Sequence, residues 1–389
     1  MLYRRFGKTN LELSVFSCGT MRCLESIDIF QATIRAAIAQ GVNHLETARG
    51  YGKSEVYLGE VLRSDLDIDR ENLYITTKLL PTPDPQKMEQ EINESLERLQ
   101  LDYIDCLAIH GINTWEQLDW ITSNNGCWSA IQSALDQGKI HHVGFSTHAP
   151  LEIILATINT NLFEFVNLHY YYFFQRHQAA IELAQQKDMG VFIISPADKG
   201  GLLYDPPTKL QELCQPFTPL DLTYRWLLSD RRITTLSFGA ANPAEVNSAV
   251  GIINNPHYSF DNILKALTPD ELTSFTKLEN HLTQTLNSTQ TINSKCSQCY
   301  ACLPCPENIA IPEILRLRNL AVAYDMTQYG EYRYGMLENA GHWFPGQKGN
   351  RCNDCGDCLP RCPEKLDIPH LLQDAHQKLN GSPRRRLWG

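Results

Sequence analysis

Eight cysteines in the last quarter of the chain carry the strongest chemical signal. Cys296, Cys299, Cys302 and Cys305 stand with two residues between neighbours, and Pro306 follows. Cys352, Cys355, Cys358 and Cys362 repeat that spacing with one additional residue before the last, and Pro363 follows. Thiolates are the soft ligands that iron–sulfur clusters need, and three closely spaced cysteines can wrap one cubane corner by corner. Zinc sites use paired units and four ligands, so two runs of four fit zinc poorly. Disulfides need an oxidising compartment, and nothing in the sequence indicates export. The spacing therefore predicts two [4Fe-4S] clusters on these eight residues. The other five cysteines, Cys18, Cys23, Cys106, Cys127 and Cys214, are scattered and read as small buried apolar residues.

A second set of residues sits far upstream. Glu46, Lys78 and His110 each end a short apolar run, and Tyr51 follows the first of them. A lysine and a glutamate in apolar surroundings are costly unless paired. An ammonium beside Tyr51 would stabilise its phenolate and lower its pKa. Tyr51 would then be a usable proton donor to a carbonyl oxygen, with His110 orienting the same oxygen. The alternative is a structural ion pair with a core histidine and a surface tyrosine. His44, His141, His142, His148 and His177 lack metal-ligand spacing and read as surface or packed histidines.

The elements that must hold these residues follow from periodicity. Residues 2–13 read as a β-hairpin turning at Gly7–Asn10. Strands are predicted at 14–19, 42–46, 73–78, 104–110, 142–146, 165–169, 191–195 and 234–238. Each is a near-continuous apolar run, as strands buried on both faces should be. Helices are predicted at 27–40, 54–63, 86–99, 129–136, 151–158, 178–187, 219–228 and 244–253, with apolar residues at three- and four-residue spacing. Eight such units match an α/β fold of the closed (β/α)8 TIM-barrel type, whose chemistry sits at the C-terminal strand ends. An open doubly wound sheet would place a Gly-rich fingerprint after the first strand, and none is there. The loop from Gly111 to Trp128, with Trp115 and Trp120, and the cluster Tyr170–Phe174 are expected near the mouth. The expected domains are the barrel over 1–255, a helix and linker over 256–295, and a small helical ferredoxin-like iron–sulfur domain over 296–380. Within the connector a helix is predicted from near Pro269, with a polar linker from Leu282 to Ser294. Ile311–Tyr324 has helical periodicity.

Composition narrows the partners. The 389 residues are 43% hydrophobic and 20% charged, with a net charge of −10. That balance disfavours nucleic acid and anionic membranes, and Arg384–Arg386 reads as a solvated basic tail. No apolar run reaches the length of a membrane span, and no signal-peptide apolar core follows Arg4 and Arg5. The expected location is cytoplasmic.

The motifs bring a resemblance into view. Tyr3-Arg4-Arg5-Phe6-Gly7-Lys8-Thr9, Gly19-Thr20-Met21, Thr47-Ala48 with Tyr51-Gly52 and Ser54-Glu55, Thr76-Thr77-Lys78, Ile109-His110, Gly144-Phe145-Ser146 and Ser195-Pro196 with Gly200–Leu203 together resemble the aldo-keto reductases. The whole chain resembles members of that family with a C-terminal two-cluster ferredoxin domain. In two-cluster ferredoxins the fourth cysteine of each run crosses to the other cluster. The resemblance thus implies Cys296, Cys299, Cys302 and Cys362 around one cluster, and Cys352, Cys355, Cys358 and Cys305 around the other. It also implies Tyr51 as general acid, Lys78 as its pKa modulator and His110 as orienting donor. Glu46 stands where the family usually has aspartate, so its link to Lys78 is expected to be altered. Implied cofactor contacts are Gly19, Thr20 and Met21 in the first loop, and Ser146 and Asn167 at the nicotinamide amide. Tyr170 or the residues near Ser195 would flank the ring, and Gly239 and Asn242 would lie in the adenosine-phosphate loop. NADP(H) is expected ahead of NAD(H), although Asn242 replaces an arginine common in NADP-preferring members, and a neutral amide gives a 2′-phosphate no charge-assisted bond.

Two functions follow. The first is an iron–sulfur oxidoreductase that interconverts a small carbonyl/alcohol substrate with a nicotinamide cofactor while the clusters relay electrons. The second is an electron-transfer or partner-docking protein on a catalytically reduced barrel, whose acidic balance would suit a basic redox partner.

Overall fold

The hairpin β1 (Tyr3–Arg5) and β2 (Glu12–Ser14) pairs antiparallel, with Tyr3 opposite Ser14. Gly7 turns it in the left-handed region, and a Cβ there would meet the backbone nitrogen of Gly190 at 2.3 Å. Only glycine fits such a turn against another backbone. The computed structural model describes residues 1–64, 66–123, 125–254, 263–288 and 294–381.

Eight parallel strands then close a barrel: β3 (Phe16–Gly19), β4 (His44–Glu46), β5 (Tyr74–Leu79), β6 (Ile104–His110), β7 (Ile140–Ser146), β8 (Phe165–Leu168), β9 (Gly190–Ile193) and β10 (Thr235–Gly239). They neighbour one another in chain order, and β10 pairs back onto β3. The helices between them are α1 (Ile27–Ala39), α2 (Ser54–Leu62), α3 (Pro85–Leu99), α4 (Trp115–Thr122), α5 (Trp128–Asp136), α6 (Leu151–Asn159), α7 (Gln178–Gln186), α8 (Thr208–Cys214), α9 (Pro219–Ser229) and, after β10, α10 (Pro243–Val250). Local chemistry sets their ends. Asp84 caps α3 by accepting from the backbone of Gln86 and Lys87, and Pro85 opens the first turn. Met88, Ile92, Leu96 and Leu99 then form its buried stripe.

Phe6 and Leu13 of the hairpin segment pack with Cys106, Ala108, Phe165, Phe192 and Ile194 in one buried cluster. Ser17, His44, Thr76 and Thr235 form a buried polar network on four neighbouring strands. His44 Nδ1 lies 2.7 Å from Ser17 Oγ, His44 Nε2 lies 2.7 Å from Thr76 Oγ1, and Ser17 Oγ lies 2.7 Å from Thr235 Oγ1. His44 is thus a core histidine held at both nitrogens, in a barrel filled by its own side chains.

The tail carries α11 (Pro269–Ser288), α12 (Ile311–Tyr324), α13 (Thr327–Tyr334) and α14 (Ile368–Leu379). The chain divides into two compact units, Met1–Gly200 with Tyr224–Ala266, and Gly201–Thr223 with Leu267–Gly389. Residues 201–223 therefore group with the tail, although the sequence assigns them to the barrel.

Three expectations change. The expected loop before α5 contains α4, started by a reciprocal Thr114–Gln117 capping box. A short helix, α8, interrupts the segment before α9. The linker expected from Leu282 is helical to Ser288, and Leu286 in its last turns is fully buried. Residues 289–293 and Arg384–Arg386 lie outside the described residues. No helix among the described residues is long and apolar enough to cross a membrane.

Candidate functional site

Residues two apart on a strand share a face. Inward-facing Ala108 on β6 and Phe165 on β8 therefore put His110 and Asn167 on the same inward face, one step closer to the C-terminal end. Register aligns Lys78 with Ala108, Glu46 with Thr76, and Ser146 with both His110 and Asn167. Five residues spread over more than a hundred positions are thereby gathered at one end of the barrel.

Lys78 and Glu46 are 2% and 5% exposed and form an ion pair. The longer glutamate side chain reaches the ammonium, and Glu46 Oε2 accepts directly from Lys78 Nζ. The same ammonium donates to the carbonyl of Thr47 at 2.9 Å and to the Tyr51 hydroxyl at 3.5 Å. Because Tyr51 oxygen accepts from Lys78, its own hydrogen points elsewhere and is available to a substrate oxygen. The His110 ring stands edge-on to Tyr51, with centroids 5.8 Å apart.

The electrostatics differ from the expectation in one respect. Burial first, and the Glu46 carboxylate second, push the Tyr51 phenol well above its usual range. The hydrogen bond from Lys78 does not offset this net rise, and burial lowers the pKa of Lys78 itself while Glu46 raises it. His110 is driven down to about 3 by burial, by Lys78 and by Lys199. It is therefore a neutral imidazole at physiological pH, a donor or acceptor without charge.

The expected cofactor residues fall into three groups. Ser146 and Asn167 are buried neighbours at the strand ends, and the Asn167 amide nitrogen and oxygen both lack a hydrogen-bond partner among the described residues. Buried polar groups are seldom left so, and a carboxamide such as that of nicotinamide would satisfy both atoms. Gly19 ends β3 beside Glu46, and a Cβ there would meet Ser237 Oγ at 3.2 Å. Thr20 is committed inside the fold to the Glu46 carbonyl and Ser54, while Met21 is partly exposed. Ser195 lies just past β9 in the left-handed region, at φ 53°. Tyr170 is not brought to the mouth. It is 3% exposed and its ring lies 5.1 Å from Trp226 on α9.

At the end of β10, Asn242 caps α10 by accepting from the backbone of Ala244 and Glu245. Glu245 Oε2 accepts from the Ala241 backbone at 3.1 Å and from Arg22 at 2.7 Å, and Arg22 also donates to the Gly239 carbonyl. A carboxylate thus already occupies the donors of this loop.

Sequence reasoning missed several residues. His169 Nε2 lies 2.9 Å from His148 Nδ1, His169 Nδ1 meets the Tyr171 hydroxyl, and Tyr171 donates to the Ile194 carbonyl at 2.6 Å. His177 Nδ1 donates to the His169 carbonyl. His169, two residues past Asn167 and inside the strand predicted at 165–169 although β8 ends at Leu168, was the available signal. Lys199 and Arg22 carried none, because a surface-loop cation has no distinguishing pattern. His142 pairs with Glu164, and His141 stacks on Tyr103.

In the tail, one cavity is lined by Cys296, Cys299, Cys302 and Cys362, with Pro312, Leu315, Leu366 and Ile368 among its apolar walls. A second is lined by Cys305, Cys352, Cys355 and Cys358, with Ile309, Ile311, Pro369 and Leu372. Among the described residues no three His, Cys, Asp or Glu converge tightly enough for a single ion. A tetrahedral ion draws its four sulfurs close together, whereas a cubane holds them around a larger body. Four sulfurs on the wall of an apolar cavity fit the cubane. The five remaining cysteines are buried.

The comparisons with known proteins agree with this division. Residues 26–265 match the aldo/keto reductase family, and residues 295–366 match the 4Fe-4S dicluster domain. The chain is 32% identical over 169 residues to an L-galactose dehydrogenase of Arabidopsis thaliana, covering 40% of this chain and 51% of that protein. It is 26% identical over 244 residues to an L-glyceraldehyde 3-phosphate reductase of Escherichia coli (strain K12), covering 57% and 62%. The chain thus spans less than two thirds of either relative. Among solved structures, the holo form of an aldo-keto reductase from Bacillus halodurans superposes with a TM-score of 0.61 at 19% identity, covering 71% of this chain and 96% of that one. That likeness is one of fold. The C-terminal segment is an iron–sulfur domain, and the chain as a whole belongs to the aldo/keto reductase family.

Proposed function

We propose that the protein is a nicotinamide-dependent oxidoreductase that interconverts a small carbonyl compound and its alcohol by a two-electron hydride step, with two [4Fe-4S] clusters forming a separate module that relays single electrons to or from a redox protein partner. The observation that carries this reading is the buried Glu46–Lys78 pair donating to the Tyr51 hydroxyl with a neutral His110 edge-on beside it. When bound, a nicotinamide supplies hydride to the carbonyl carbon. Tyr51 gives its proton to the developing alkoxide, and Lys78, already hydrogen-bonded to the phenol oxygen, stabilises the charge that remains there. His110 donates to the same substrate oxygen and fixes its position. Glu46 keeps Lys78 charged despite burial. Ser146 and Asn167 would hold the cofactor amide. The named activities of the relatives, on L-galactose and L-glyceraldehyde 3-phosphate, support a small carbonyl or alcohol as substrate.

Proton supply sets a direction. A phenol held above its usual pKa stays protonated at neutral pH, as reduction requires. Oxidation requires phenolate, so its rate is expected to climb with pH while reduction stays level over about pH 6–9. NADP(H) was the expected cofactor, but the Glu245 carboxylate at the Arg22 and Ala241 donors would repel a 2′-phosphate and accept from ribose hydroxyls. We therefore infer that NAD(H) binds at least as well. Titration with NADH and NADPH tests both points, and binding of neither would favour the docking reading. Tyr51→Phe is expected to lower carbonyl turnover by about 10²–10⁴-fold while leaving cluster absorbance intact. Unchanged turnover in that variant would remove Tyr51 as proton donor.

A further inference from the structure

The two cysteine quartets repeat one another residue by residue. Cys296 and Cys352 are partly exposed, Cys299 and Cys355 exposed, Cys302 and Cys358 buried, and Cys305 and Cys362 partly exposed. The residue two after the first cysteine is left-handed in both runs: Gln298 at φ 58° and Asp354 at φ 57°. The runs lead into α12 and α14, whose Leu315 and Leu372 line the respective cavities. Corresponding cysteines therefore fall in the same exposure class, with the first run more deeply buried, and the backbone turns alike in both.

The matched position holds opposite chemistry. Gln298 Nε2 donates to Cys296 Sγ at 3.4 Å and is anchored by a second bond to the Pro312 carbonyl at 2.9 Å. Asp354 Oδ1 lies 3.7 Å from Cys352 Sγ and accepts from it while the sulfur carries a proton. An iron-bound sulfur has no proton, so the contact at Cys352 becomes carboxylate against thiolate. The contact at Cys296 is unaffected and still offers an N–H. Other charged groups on the cavity walls do not separate the two. Glu307 and Asp357 are offset in part by Arg361 at one cavity, and Glu364 stands alone at the other, leaving one net negative charge at each.

Hydrogen bonds to sulfur and local charge set cluster potentials. We propose that Asp354 and Gln298 make the clusters unequal: the one on Cys305, Cys352, Cys355 and Cys358 has the lower reduction potential, and the one on Cys296, Cys299, Cys302 and Cys362 the higher. An electron then passes from the first to the second, one cluster oxidised and the other reduced, with no proton required. The inference rests on the two-cluster reading above.

The test is a potentiometric titration of the full chain, reconstituted anaerobically, followed by electron paramagnetic resonance after iron and sulfide have been counted. The wild type is expected to hold eight irons and to reduce in two separate steps. Asp354→Asn, which keeps a residue tolerant of the left-handed backbone, is expected to raise the lower step about tenfold in its one-electron equilibrium, about 59 mV, and leave the upper step in place. Gln298→Glu is expected to lower the upper step alone. Eight irons with both steps unmoved in both variants would overturn this inference and leave the two-cluster reading standing. Four irons per chain would overturn both.

Discussion

At the barrel mouth, the buried charges of Lys78 and Glu46 answer each other, and Lys78 also meets the Thr47 carbonyl and Tyr51. In the cysteine domain the chemically active atoms line two cavities whose remaining walls are largely apolar. At the mouth, the buried amide atoms of Asn167 lack a partner among the described residues. The cysteine domain is built around bodies that the polypeptide does not supply. Nicotinamide is thus expected to find a finished site, whereas iron and sulfide contribute to the folding of theirs.

The contrast is broken or sharpened by three experiments. The largest effect is expected from Cys358→Ala, which removes a buried ligand from one quartet: that cluster should be lost, with iron content halved and the thermal transition of the tail lowered. Retention of all eight irons would show that the quartet is not assembled as described. Next is Glu46→Ala, which leaves the Lys78 ammonium buried without its partner. Loss of one member of a buried pair costs about 3–5 kcal/mol, read from urea unfolding. Replacing both by apolar residues, Glu46→Leu with Lys78→Met, should recover most of that stability, and failure to recover it would point to a role other than charge pairing.

The smallest effect concerns pH. His44 is held at about 3, against an ordinary 6.5, chiefly by burial. The unfolded chain binds a proton on His44 before the folded one does, so stability is full above about pH 6.5 and falls as pH drops toward about 3. One pH unit below the ordinary 6.5 the loss is about 1.4 kcal/mol, smaller than that of the broken ion pair. His44→Asn, which keeps hydrogen-bonding capacity without the titration, should flatten this part of the stability–pH curve. An equally steep fall would assign the acid sensitivity to other groups.

Much of this was legible before any coordinates. The eight barrel strands lie where apolar runs predict them, because a parallel strand buried on both faces needs an uninterrupted run. Ile311–Tyr324 is helical over its predicted span. Helix α4 was missed although Thr114 and Gln117 announce it, because a short amphipathic turn inside a long loop carries too little periodicity. The upward displacement of the Tyr51 pKa could not be read, since it depends on how far Glu46 cancels Lys78 and how deeply the hydroxyl is buried. Tyr170 was misdirected because one residue of alternation separates the mouth from the helix layer.

Cysteine spacing fixed the cluster chemistry, since each run wraps its iron locally and needs no distant residue to be recognised. Strand-end polar residues fixed the barrel chemistry to the level of residue types. The cavity linings group Cys305 with the second run and Cys362 with the first, as the resemblance implies, whereas only the tertiary structure decided that Glu46 reaches Lys78. Asp354 and Gln298 meet sulfurs only two residues away, so those contacts are local and follow from the left-handed backbone at each. The meeting of Glu46 with Lys78 depends on the distance between segments far apart in the chain, which packing sets.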